Sequence, residues 1–125
     1  MSKFVERELT NTKGILKFPD HYVAISVTVD DAGITTNADG KKIVPAGTIL
    51  GGGFIGNSTN KAKKAVTAGD PAASDAEGVL LTDVDVTYGA ASGAAVIHGF
   101  IDTTKLPAAP TAEEAAALKQ ITFIA

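Results

Sequence analysis

Tyr22-Val23-Ala24-Ile25-Ser26-Val27-Thr28-Val29 sets Val23, Ile25, Val27 and Val29 against Tyr22, Ala24, Ser26 and Thr28 in unbroken alternation. A period of two puts successive side chains on opposite faces of a strand, and β-branched residues suit that pleat. One face of this strand is therefore expected to meet a core. Turn chemistry follows at once in Asp30-Asp31-Ala32-Gly33 and again in Asn37-Ala38-Asp39-Gly40. Asp, Asn and Gly bond their own backbone or reach positive φ, so both tetrapeptides bend the chain. Ile34–Thr36 and Lys41–Val44 are short enough to form a hairpin about the second turn. Pro45-Ala46-Gly47 then turns the chain into a short strand, Thr48-Ile49-Leu50.

Further out the pattern changes twice. Residues 56–77 are rich in Gly, Ser, Asn, Lys, Ala and Asp, with Pro71 in the middle and Val66 as the only large apolar residue. They predict a long surface loop with at most a helical turn around Lys61–Val66. Gly78–Tyr88 returns to strand character, and its apolar phase shifts between Leu81 and Val84, which predicts a bulge or bend there. Gly89–Gly93 is a small-residue turn. Ala94–Ile101 is apolar on both alternations apart from His98 and Gly99, as expected of a strand buried on both faces, in a core or between subunits.

The last segment predicts a helix. Pro107 and Pro110 block helix before it, and Thr111 with Glu114 has capping-box spacing. Glu113 and Glu114 suit the positive end of the helix dipole, and Lys119 suits the other. The helix gives way near Gln120 to a terminal strand, Ile121–Ile124. At the other end, residues 1–19 fit neither period; Gly14 interrupts any long helix and Pro19 closes the segment. They read as an arm with apolar points at Phe4, Val5, Leu9, Ile15, Leu16 and Phe18, or as an ordinary edge strand. The expected architecture is mainly β with one short C-terminal helix: an arm over 1–19 and a single β-rich domain over 20–125.

Composition limits what such a domain does. The chain has 125 residues, one domain's worth, with five Phe, two Tyr and no Trp to fill volume. So thin a core implies that oligomerisation or docking supplies part of the stability. A net charge of −3 argues against a nucleic-acid partner, which needs clustered Lys and Arg. Lys61, Lys63 and Lys64 form the one basic cluster, without an aromatic platform, and read as a solvated loop. With no cysteine, disulfides and thiolate chemistry are excluded. No apolar run reaches signal-peptide or membrane-span length, so a product made and kept in the cytoplasm, or in something assembled there, is expected.

Candidate chemistry is sparse. Gly51, Gly53 and Gly56 have dinucleotide-fingerprint spacing, but that motif needs a helix immediately after it to present amides to a pyrophosphate. Asn57-Ser58-Thr59-Asn60 follows instead, and Asn57 stands where a phosphate loop needs lysine. A glycine-rich turn is expected, and no cofactor. Asp83, Asp85, His98 and Asp102 offer carboxylates and an imidazole to a divalent cation, yet acids on the polar face of an edge strand explain them more simply. His98 reads as a hydrogen-bonded core or interface histidine. None of the five serines sits in a nucleophile elbow. No catalytic or metal residue is assigned, and the chain is expected not to be an enzyme.

From Glu77 onward, Glu77-Gly78-Val79-Leu80-Leu81-Thr82-Asp83-Val84-Asp85-Val86 resembles a segment of the head decoration proteins of tailed bacteriophages, in which a Gly-Ile/Val-Leu start leads into an acidic strand. Ala95-Val96-Ile97-His98-Gly99-Phe100-Ile101 resembles their next strand, and Lys105-Leu106-Pro107 their Leu-Pro corner. Upstream, Val44-Pro45-Ala46-Gly47-Thr48-Ile49-Leu50-Gly51 resembles their A-G-T-x-L-G turn and strand. The resemblance covers about residues 44–125, with 56–76 unmatched. It implies a β-tulip-like fold and a homotrimer on the outside of an expanded capsid, bound to the major capsid protein and stabilising the shell against internal DNA pressure. It implies no nucleic-acid or membrane partner, and a virion protein made in the host cytoplasm. On this reading the six apolar arm residues dock on the capsid, and Val96, His98, Phe100, Leu106 and Pro107 are candidates for subunit contact. The other reading is a head fibre or appendage base, or a small non-catalytic binding module using the Gly51–Gly56 turn and the 56–77 loop.

Overall fold

A computed structural model describes residues 14–69 and 72–125. Its strands are β1 (Tyr22–Val29), β2 (Ile43–Val44), β3 (Ile49–Gly51), β4 (Lys63–Lys64), β5 (Thr67–Ala68), β6 (Ala73–Ser74), β7 (Gly78–Leu80), β8 (Val84–Asp85), β9 (Ala91–Asp102) and β10 (Ile121–Ile124). Among the described residues there is one α-helix, α1 (Ala112–Ala117), preceded by a 3-10 turn at Thr103–Lys105. The fold is mainly β, as the sequence predicts.

The central sheet runs β1-β9-β7-β3-β4, and β10 joins β9 in parallel. At its centre, in β3, β7 and β9, both faces are buried, and neighbouring residues divide between them. Leu50, Leu80 and Ala95 belong to one core, with Val27, Val29 and Phe54; Ile49, Val79 and Val96 belong to the other, with Ile101 and Ile121. This is the strand period acting on a sheet covered from both sides. The first face is closed by the small β2–β8 sheet, through Val44 and Val84. The second is closed by Ile15, Ala46 and Leu118. Each fully buried Leu, Ile or Val contributes about 1.5–3 kcal/mol.

β9 organises the sheet because it is twelve residues long and takes partners along both edges. β1 lies antiparallel to it from Val29↔Ala91 to Tyr22↔Gly99, with a register shift between Val23 and Ala24. Ile97 is the extra residue of that bulge, since Val23 faces His98 and Ala24 faces Val96. The bulge explains a departure in β1. Ile25, Val27 and Val29 share the first core, but Val23 lies beyond the bulge and is 49% exposed.

Four further expectations are corrected. Ile34–Thr36 forms no strand; the Asn37 side chain accepts from Asp39 N (2.9 Å) and Lys41 N (3.0 Å), closing a tight turn, and Ile43–Val44 pairs with Val84–Asp85 instead. Residues 56–77 are not one loop, since β4 pairs with β3 and β5 pairs with β6. There is no helical turn at Lys61–Val66, because Ala62 is fully buried in a parallel bridge to Val29. The bend expected between Leu81 and Val84 is present: Leu81–Asp83 is where the chain leaves β7 in one sheet for β8 in another.

The fourth correction concerns the arm. Ile15 is 1% exposed in the second core, and Leu16 bridges Ile101 antiparallel. Lys17 N donates to Phe100 O (2.9 Å) and Asp102 N donates to Ile15 O (2.7 Å). Residues 15–17 thus continue the β1 edge of β9 after an excursion at Phe18–His21, where Pro19 has no N–H to offer a ladder. The domain takes in Ile15, upstream of the boundary at 19. Phe4, Val5 and Leu9 lie outside the described residues.

The helix follows its signals. Thr111 Oγ1 accepts from Glu114 N (3.2 Å), and Glu114 Oε1 accepts from Thr111 N (2.9 Å), completing the capping box. Such a cap is worth about 1 kcal/mol.

Candidate functional surface

The glycine-rich turn carries no phosphate cradle. Gly52 and Gly53 take φ of +106° and +80°, and the turn drives Phe54 into the first core. Residues 57–60 form a further turn, held by Asn57 Oδ1 accepting from Thr59 N (3.0 Å) and by Asn60 Nδ2 donating to Gly53 O (3.2 Å). The chain then enters β4 rather than the helix that a dinucleotide site requires. Glu77 Oε2 accepts from Ile55 N (3.2 Å) and ties the turn to β7.

The three acids and the imidazole singled out by the sequence do not converge. Asp83 Oδ1 accepts from Ala46 N (2.7 Å), anchoring the Pro45–Gly47 turn. Asp85 Oδ1 accepts from the hydroxyl and amide of Thr87, and Asp102 Oδ1 from those of Thr104 (2.6 and 3.0 Å). These bonds, the hydroxyl's above all, hold both carboxyls below the usual Asp range. A depressed folded-state pKa adds stability above the unfolded value and loses it as pH falls through the folded one. Unfolding midpoints in urea are therefore expected to lose this contribution only below about pH 4, with a shallower acid decline in Asp85→Asn/Asp102→Asn. Among the described residues no group of three or more His, Asp or Glu is placed to hold a metal ion.

The candidate subunit contacts separate into three environments. Val96 is wholly buried in the second core, so it is removed from any contact surface. Leu106 and Pro107 form a corner over the Pro45–Gly47 turn. A Cβ on Gly47 would lie 2.7 Å from Leu106 Cδ2 and 2.9 Å from Pro107 Cδ. Leu106 is half-buried there and Pro107 exposed. His98 and Phe100, both half-buried, belong to an aromatic cluster at the end of β1 and β9. Phe18 meets Phe100 edge-on with centroids 5.3 Å apart, and His21 lies 5.7 Å from Phe100 and 5.1 Å from His98.

This end of the domain is its most apolar exposed region. Phe18, Tyr22 and Val23, within six residues of chain, are three of the six large hydrophobics exposed among the described residues. Of the arm residues described, Phe18 alone is exposed, at 49%, while Leu16 is half-buried. Elsewhere an open, mainly apolar groove of about 700 Å³ runs between β2, β3 and β4 and the Pro107–Glu114 segment, with Ile34, Ile43, Lys63 and Lys64 on its walls. No helix of the described residues is long and apolar enough to cross a membrane. His21 is the member of the cluster that the sequence did not single out. Its only signal is that the chain has two histidines.

Compared with family models, curated proteins and solved structures, the chain matches none.

Proposed function

We propose that this chain is a non-catalytic structural protein that binds the outside of an expanded phage capsid and stabilises it, as a trimer seated on the major capsid protein. The observation that carries the reading is the exposure of Phe18, Tyr22 and Val23 where the N-terminal segment joins the sheet. Several large apolar side chains exposed within one short segment suit a docking face. Support also comes from the way two resembling segments meet. The Pro45–Gly47 turn and the Leu106–Pro107 corner, distant in sequence, lie against each other at van der Waals range. On this reading the docking residues are Phe18 and the segment before it, and the subunit contact falls on Pro107 and the His98–Phe100 end rather than on Val96.

Co-sedimentation with shells assembled from the co-encoded major capsid protein tests the proposal. The chain is expected to bind expanded shells and to raise their resistance to heat. Phe18→Ser is expected to weaken binding by at least about tenfold while lowering the unfolding free energy by only about 1 kcal/mol, the worth of its edge-on contact with Phe100. Failure to bind expanded shells would overturn the reading.

A further inference from the structure

The two histidines of the chain are 77 residues apart in sequence, yet they meet Nε2 to Nε2 at 3.2 Å. From this geometry we propose that His21 and His98 form a two-imidazole site for a divalent transition-metal ion of the Zn²⁺, Ni²⁺ or Cu²⁺ class. The inference rests on the geometry of the single chain, and the site lies at the end proposed for subunit contact.

Distance and direction both fit. Two nitrogens held about 2.0–2.1 Å from one ion near the tetrahedral angle lie about 3.3 Å apart. With both rings aimed at that ion, their centroids fall about 5 Å apart; rings meeting head-on along one N–H···N line place them about 5.5 Å apart. The observed centroid separation is 5.1 Å, with the planes at 65°. That separation is shorter than for a head-on pair and matches two rings aimed at one ion.

The surroundings bear on the tautomer. His98 Nδ1 lies 3.2 Å from Gln120 Oε1, and in the tautomer that donates this bond Nε2 presents its lone pair. An imidazole whose second nitrogen donates to a fixed oxygen is the usual support of a metal ligand. Gln120 is itself anchored, its carbonyl accepting from Gly99 N at 3.2 Å. His21 is held by its amide donating to Phe18 O (3.1 Å) and by its ring against Phe100. Metal binding requires each ring as the neutral tautomer protonated at Nδ1, so that both Nε2 lone pairs face the ion. Imidazole suits this class of ion, and water fills the remaining positions.

The full chain titrated with Ni²⁺ in a calorimeter is expected to bind one ion. His21→Gln and His98→Gln should each weaken binding by more than the 10- to 100-fold typical of losing a supporting partner, and Gln120→Ala by about tenfold. Gln120 is a positioning residue, so Gln120→Glu should restore the affinity. Cu²⁺ bound to the full chain should show two equivalent-class nitrogens by electron paramagnetic resonance, and one in His21→Gln. His21 is exposed in a turn, so that variant keeps the fold, as its metal-free unfolding midpoint should confirm. Affinity within about twofold of the parent in His21→Gln, or a copper spectrum without paired nitrogens, would overturn the proposal.

Discussion

Alanine in place of Ile15 is expected to lower the unfolding free energy by about 3 kcal/mol, read as a shifted urea midpoint at unchanged slope. The side chain is 1% exposed and shares a core with Val79, Val96 and Ile101, so truncation leaves a cavity under the central sheet. The backbone holds the site open, because residues 15 and 17 are pinned to β9 by hydrogen bonds on either side of Leu16. Phe18→Ala, three residues on and half exposed, loses its edge-on contact with Phe100 and should lower the unfolding free energy by only about 1 kcal/mol. Equal small effects at both positions would return Ile15 to a detached arm. The contrast also governs how docking is measured. Deleting residues 1–17 removes a core side chain and confounds folding with attachment, whereas deletion of residues 1–13 leaves Ile15 in place.

Gly47→Ala is expected to cost about 2–4 kcal/mol, from two separable sources. The residue sits at φ +88°, where a Cβ is opposed by its own backbone. The same Cβ would also stand 2.7 Å from Leu106 Cδ2 and 2.9 Å from Pro107 Cδ, and a proline ring yields little. Gly33→Ala provides the control: φ is +77°, nothing lies within 4 Å, and only the conformational cost of about 1–2 kcal/mol applies. Combining Gly47→Ala with Leu106→Ala should recover part of the difference, as a coupled pair does. Equal costs at positions 33 and 47 would mean that the corner does not bear on the turn.

Those two glycines show where sequence reading succeeds and where it stops. The Asp-Asp-Ala-Gly and Pro-Ala-Gly turns were legible because their chemistry is local. So were β1, from its period, and the start of α1, from Thr111 and Glu114. That β9 is covered on both faces was also legible, from eight residues with no polar alternation. The partners of the short strands were not. Two residues such as Ile43–Val44 carry no period, and nothing in Val84–Asp85 says that it will cross to a second sheet. β4, β5 and β6 have surface composition because they are surface strands, with Lys63 and Lys64 exposed on the sheet edge. Ile15 read as a loose apolar point because its burial comes from β9, far along the chain. The His21–His98 pair is the extreme case: each ring looks solitary until the sheet sets Tyr22 opposite Gly99.

The placement of β9 also governs when the domain can form during synthesis. Apart from the Ala62 bridge at its Val29 end, every strand partner of β1 lies at residue 91 or later, and the partner of Leu16 is Ile101. At about 5–20 residues per second, the ribosome leaves β1 unmatched for on the order of seconds, with its valines and isoleucine in the open. Domains dominated by such distant pairings also close slowly, in milliseconds to seconds. During that interval the alternating stretch Tyr22–Val29 is a template for the same stretch on a neighbouring nascent chain. Yield from rapid, warm overexpression should therefore suffer first, and slower translation at low temperature should recover it.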